Sequence, residues 1–166
     1  MRTSFYLAVP IMMLLSITQS AIIARYPLLG FVPQLSFLVA LSWGLLHDVE
    51  EGVTWAFVGG FFIDLFSVTP TGVTPFVWMI AILVVIQLSQ IFPTSRYIMP
   101  TISGALGTLL YIAMQVLLLS LFGYQSSLET VIALLPLSIL HGILILPVYW
   151  LMYTLLQRIR PRRVSF

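Results

Sequence analysis

The sequence contains no cysteine, and only 7% of its 166 residues are charged. Without cysteine there is no disulfide framework and no thiolate metal site. With so few charges and 60% hydrophobic residues, the chain cannot cover an apolar core with a polar surface, which excludes a soluble globular domain. We therefore predict an all-α integral membrane protein.

Six apolar segments have roughly the length of a bilayer crossing, which takes about 20 helical residues. We predict one membrane domain of six transmembrane helices with a basic tail at 157–166; the helices are placed at residues 5–24, 28–46, 53–66, 75–92, 98–122 and 131–156. The third is short, because the polar run 47–51 cannot sit in lipid; it begins earlier, crosses at a thin point, or is partly shielded by neighbouring helices. The first segment also has features of a secretory signal, but its unbroken apolar run favours a retained helix.

All seven basic residues are arginine, and their placement predicts the orientation. With both termini in the cytoplasm, only Arg25 lies outside, as the positive-inside rule favours. Four arginines crowd the last nine residues, and each attracts anionic lipid headgroups by about 1 kcal/mol. They form either a lipid anchor or a docking site for a cytoplasmic protein: Arg158, Arg160, Arg162 and Arg163.

A stripe of small residues marks the third segment. Gly52, Ala56 and Gly60 recur at four-residue intervals beside Gly59, so a helix here lets another backbone approach closely. Asp64 continues the stripe by one step. A carboxylate at membrane depth costs roughly 2.5–3.5 kcal/mol, so Asp64 should face protein or water and not acyl chains. We predict a helix-packing or partner interface along this stripe.

Two later segments carry a second set of candidate packing residues. Small and hydroxyl residues share one face of the fifth helix, and a histidine within the sixth can form a hydrogen bond across a helix interface. The predicted interface residues are Gly104, Gly107, Thr108, His141 and Gly142.

The few ionisable groups do not assemble a catalytic or metal-binding pattern. Two histidines, two aspartates and three glutamates are scattered along the chain. His47 and Asp48 are expected to form a solvated helix end, and the predicted topology separates Asp48 from Asp64 across the membrane. We therefore expect no enzyme activity, no metal and no cofactor; an intramembrane hydrolase using the two aspartates is a distant alternative.

Three motifs follow one another along the chain: PQLSFLVALSWGLL in the second segment, EGVTWAFVGGFFIDLFSVTPTGV in the third, and ILHGILILPVYWLM before the basic tail. In these motifs and their order, the chain resembles the rod shape-determining MreD family. The family pattern of a glycine-rich helix, G-x-x-x-D-L and a turn ending in glycine falls on Gly60, Asp64, Leu65 and Gly72. The turn itself departs from the Ser-Gly-Ser-x-Leu-Gly form common in relatives.

The resemblance implies a non-enzymatic scaffold of the bacterial cell-elongation complex in the inner membrane. Expected partners are a single-pass MreC-like protein, MreB filaments, a peptidoglycan polymerase and its transpeptidase, together with membrane lipids but no nucleic acid. MreD-like chains are also similar in fold to the S subunits of energy-coupling factor vitamin transporters. The alternative function is therefore small-molecule binding for transport, with Asp64 and the loop 67–74 lining a pocket.

Overall fold

The computed structural model describes residues 2–91, 98–124 and 128–159. These parts consist of helices joined by short irregular connections. The α-helices are α1 (Arg2–Ala21), α2 (Leu35–Leu46), α3 (Val49–Leu65), α4 (Val73–Ile91), α5 (Ile98–Leu121), α6 (Leu128–Ala133) and α7 (Leu135–Ile159). A short 3₁₀ turn at Ile23–Arg25 follows α1. Within the described parts there is no strand, only an isolated bridge between Leu28 and Phe31. The all-α class is confirmed.

Four of these helices are long and apolar enough to cross a membrane. The candidate spans are Phe5–Arg25, Val73–Ile91, Ile98–Leu121 and Leu135–Arg158. Each of the six predicted segments contains a helix. However, α2 has 12 residues and α3 has 17, so both are shorter than the four candidate spans. The remaining two crossings therefore stay a prediction.

The second predicted segment is helical only in its C-terminal part. We placed its start at residue 28, whereas α2 begins at Leu35. The backbone of Leu29 and Gly30 has φ values of 53° and 83°, which helices cannot accommodate, and Pro33 follows. Hydrophobicity alone gave no sign of this irregular stretch.

The third helix begins earlier than residue 53, as its shortness suggested. Asp48 is the N-cap of α3, and its Oδ1 accepts a hydrogen bond from the Glu51 amide at 2.9 Å. An aspartate at this position satisfies an amide that has no partner within the helix and complements the helix dipole. The polar run that precedes the predicted segment is thus the capped first turn of α3.

We call α1–α5 and α7 the six main helices. The shortest of them, α2, lies at the centre of the bundle. Every residue of α2 from Ser36 to Gly44 is buried, and α2 packs against α1, α3, α4, α5 and α7. The longer helices expose large apolar side chains such as Leu14, Leu117 and Ile139, which suits a surface facing lipid. The fold is a short buried helix within a shell of longer ones.

Candidate functional site

Gly60 brings α3 and α4 into backbone contact. A Cβ built on Gly60 would lie 2.5 Å from the Cα and 2.6 Å from the N of Pro75, near the start of α4. Backbone atoms cannot rotate away as a side chain can, so this approach requires glycine. In the structure, the close approach at Gly60 is to α4 of the same chain.

The other small residues of the stripe also pack against helices of the same chain. A Cβ on Gly52 would lie 2.8 Å from the Cα of Gly44 on α2, and one on Gly59 would lie 3.0 Å from the Sδ of Met12 on α1. Ala56 is fully buried. The stripe is thus covered by α1, α2 and α4. Gly44 was not among the predicted residues, although it lies in the motif of the second segment.

Asp64 holds the turn between α3 and α4. Its side chain is buried, and its Oδ2 accepts hydrogen bonds from the amides of Gly72 at 2.8 Å and Thr74 at 3.3 Å. Gly72 has a φ of 104°, which allows the chain to turn into α4. A carboxylate at these amides complements the positive end of the α4 dipole. We call this side of the bundle the Asp64 end.

The predicted glycines of α5 and α7 face each other across a helix pair. A Cβ on Gly104 would lie 3.1 Å from the carbonyl oxygen of His141, and one on Gly142 would lie 3.2 Å from that of Thr101. Gly107 instead faces α2, where the ring of Phe37 lies 3.2 Å from the position of an added Cβ. These residues join α5 to both α7 and the central helix.

His141 links three parts of the protein through a continuous series of hydrogen bonds. The Gln34 backbone amide donates to His141 Nε2 at 2.9 Å, so that nitrogen is an acceptor and the ring is neutral. Nδ1 then carries the proton and donates to Thr108 Oγ1 at 2.8 Å, and the hydroxyl of Thr108 donates to the Gly104 carbonyl at 2.6 Å. The tautomer follows from the backbone donor. His141 and Thr108 thus form one unit with Gln34.

Gln34 also joins α1 to this unit, a contact that the sequence analysis missed. The side-chain amide of Gln19 donates to Gln34 Oε1, and Gln19 is buried. A polar residue within an apolar predicted segment was the available signal. We call the connected residues the Gln34 network: Gln19, Gln34, Thr108 and His141.

A cavity of about 530 Å³ lies beside the Gln34 network. It is lined by the connection before α2, the second half of α5, and the start of the α6–α7 segment; its lining residues include Phe31, Gln34, Tyr111, Gln115, Thr130 and Leu134. A smaller cavity of about 220 Å³ is lined by Gln19, Gln34 and Ser67, among others. Asp64 is a lining residue of neither, in contrast to the pocket expected under the transport alternative.

At the opposite end of α3, the polar run is more enclosed than predicted. Glu51 is buried and accepts a hydrogen bond from the Trp43 indole at 2.8 Å. The ring of Trp43 stacks on Trp55 at 4.5 Å and on His47 at 4.3 Å between centroids. His47 is half-buried, whereas Asp48 is exposed. The solvated helix end that we expected of His47 and Asp48 thus describes Asp48 but not His47.

The acidic residues do not come together. Asp48 caps the start of α3 and Asp64 lies in its last turn, about 24 Å away at 1.5 Å per residue. Within residues 2–91, 98–124 and 128–159, no three histidine or acidic side chains are grouped so that they could hold a metal ion. Arg158 is exposed near the end of α7, whereas the other candidate anchor residues, Arg160, Arg162 and Arg163, lie outside the described residues.

A model of a known protein family matches nearly the whole chain. A family model described as rod shape-determining protein MreD matches residues 1–159. No curated protein and no solved structure gives a significant match. The family and the apolar helices together indicate a protein of the inner membrane.

Proposed function

Because the chain belongs to the MreD family of rod shape-determining proteins, we propose that it acts as a non-enzymatic membrane scaffold of the cell-elongation complex. In this proposal it partners an MreC-like single-pass protein and links MreB filaments to a peptidoglycan polymerase and its transpeptidase. The family match over residues 1–159 is the observation that carries the proposal.

The use of the buried polar groups supports a structural role. Asp64 binds two amides at the start of α4, and His141 is held between a backbone amide and a hydroxyl. His141 is thereby committed to packing the chain through both ring nitrogens, and Asp64 to the turn through its Oδ2. A scaffold needs this property, since it must present fixed surfaces to several partners.

The internal position of the glycine stripe restricts where partners can bind. Gly52, Gly59 and Gly60 already contact α2, α1 and α4. A partner helix would have to displace one of these to reach the stripe. In the proposed complex the partner therefore contacts outward-facing side chains, and substitutions in the stripe affect assembly through the fold of this chain.

We further propose that all six main helices cross the membrane with both termini in the cytoplasm. The packing of α2 against α3 supports this, because a short helix that is covered by protein does not have to match the thickness of the surrounding lipid by itself. Alkaline phosphatase is active only outside the cytoplasm and green fluorescent protein only inside. We expect phosphatase activity for fusions after Thr69 and fluorescence for fusions after Arg158 or Asp48. Phosphatase activity after Asp48 would contradict the proposed crossing of α2.

Affinity purification of the tagged full chain from its native membranes tests the proposed function. We expect mass spectrometry to identify an MreC-like single-pass protein and wall synthases in the purified complex. An untagged strain and an unrelated tagged six-helix membrane protein are the controls. Recovery of transporter ATPases in place of these partners would contradict the scaffold.

A second candidate function is substrate binding for transport, as in the S subunits of energy-coupling factor transporters. This candidate includes the proposal that the chain shares the fold of those S subunits. The cavity of about 530 Å³ favours this candidate, since ligand sites commonly measure 300–1,000 Å³. The same purification distinguishes the two functions, because a transport subunit would be recovered with coupling ATPases.

A further inference from the structure

We propose that the cavity beside the Gln34 network binds an uncharged amphiphile, with a hydroxyl- or amide-bearing head and a hydrocarbon part. Its volume of about 530 Å³ lies within the range of small-molecule sites. This inference is independent of which partners the scaffold binds.

The lining has the two kinds of surface that such a ligand requires. Four of the twelve lining residues are polar, namely Gln34, Tyr111, Gln115 and Thr130, and the remainder are apolar or glycine. None of the twelve is charged. A phosphate or carboxylate buried here would lack a cation to compensate its lost hydration, so a neutral head is favoured.

Two of the four polar lining residues, Gln34 and Tyr111, are fixed by contacts behind the cavity wall. The backbone amide of Gln34 is bound to His141, and its side chain is bound to Gln19. The ring of Tyr111 is 4% exposed and packs edge-on against Phe37 at 4.9 Å between centroids. Groups that are already ordered lose little conformational freedom when a ligand binds. This arrangement is the one expected of a preformed site.

The position of the cavity indicates how the ligand enters. Gly30 and Thr130 are exposed lining residues, so the cavity reaches the surface near the Asp64 end of the bundle. On α5, Leu119 is half-buried and lines the cavity, whereas Leu117, two residues earlier, points away from it and is 59% exposed. A membrane amphiphile can therefore place its head at the polar residues and its chain along α5.

Photolabelling in vesicles tests the proposal. The full chain is reconstituted in dioleoylphosphatidylcholine with a diacylglycerol that carries a diazirine in its acyl chain. We expect labelling concentrated in residues 111–119 and 130–137, competed by unlabelled diacylglycerol but not by dioleoylphosphatidylglycerol. Leu119→Trp should obstruct the part of the cavity beside α5 and remove the competed labelling, whereas Leu117→Trp, on the outward face, should leave it unchanged.

A second variant tests recognition of the ligand's polar head without adding volume to the cavity. Tyr111→Phe keeps the packed ring and removes the hydroxyl, so the competing diacylglycerol should bind roughly three- to tenfold more weakly, the effect of one lost hydrogen bond. Labelling spread evenly over all outward helices, equal competition by phosphatidylglycerol, or labelling unaffected by Leu119→Trp would overturn the proposal. So would competition unchanged in Tyr111→Phe.

Discussion

A Gly60→Ala substitution is expected to destabilise the protein far more than Gly59→Ala, although the two glycines are adjacent on α3. The added methyl at position 60 meets the Pro75 backbone at 2.5–2.6 Å, whereas at position 59 the nearest atom is the flexible thioether of Met12 at 3.0 Å. Overpacking against an immobile neighbour costs about 1–3 kcal/mol. Alanine also gains about 1 kcal/mol of helix propensity over glycine, which offsets the small adjustment of Met12 but not the displacement of α4.

Unfolding of the purified variants by sodium dodecyl sulfate in mixed micelles measures this difference. We expect Gly60→Ala to lose about 2 kcal/mol and Gly59→Ala to change by less than about 1 kcal/mol. Gly60→Leu should prevent folding or assembly and abolish rod shape in cells lacking the native protein. Ala113→Leu, on the exposed face of α5, is the control for added volume. Equal stability of the two alanine variants would show that the α3–α4 approach does not depend on Gly60.

Removal of the Asp64 carboxylate is expected to have the second large effect. Asp64→Ala leaves the amides of Gly72 and Thr74 without their acceptor and removes a negative charge from the start of α4. Thr74 is buried, and an unsatisfied buried amide costs about 1–3 kcal/mol; the lost helix-dipole interaction adds up to about 1 kcal/mol. Asp64→Asn retains a carbonyl acceptor, so its loss should be about half as large.

The comparison of these two variants separates packing from recognition at Asp64. If Asp64 only holds the turn, stability and rod-shape function should fall together, with Asn retaining more of both than Ala. Glu129→Gln, which neutralises an exposed carboxylate on α6, is the matched control and should change neither. An Asp64→Ala protein with unaltered stability would contradict the proposed turn; normal stability with lost function would instead assign Asp64 to a partner contact.

The sequence predicted well those features that are local or periodic. Helical spacing placed Gly52, Ala56 and Gly60 on one face, and the cost of a charge in lipid predicted that Asp64 avoids acyl chains; in the structure its side chain is buried. The helical class followed from the apolar segments. Such features depend on residues within one or two turns of each other, and a single sequence contains that information.

Contacts between distant residues could not be predicted in this way. Gln34 and His141 are 107 residues apart, and no local pattern specifies that a backbone amide will meet an imidazole. The cavity likewise depends on how three separate segments pack. The late start of α2 was missed for a different reason: an apolar stretch has the same hydropathy whether it is helical or irregular, and only Gly30 and Pro33 marked the difference.

The buried position of α2 has a consequence for biogenesis. At 1.5 Å per residue its 12 residues extend about 18 Å, well short of a bilayer core about 30 Å thick. Alone in lipid, α2 would leave flanking backbone groups without hydrogen-bond partners. We therefore do not expect the translocon to release it into the bilayer as an independent segment. Its contacts with α4, α5 and α7 do not exist until those later helices have been synthesised. The interior of this protein is therefore completed last, although it is encoded near the beginning of the chain.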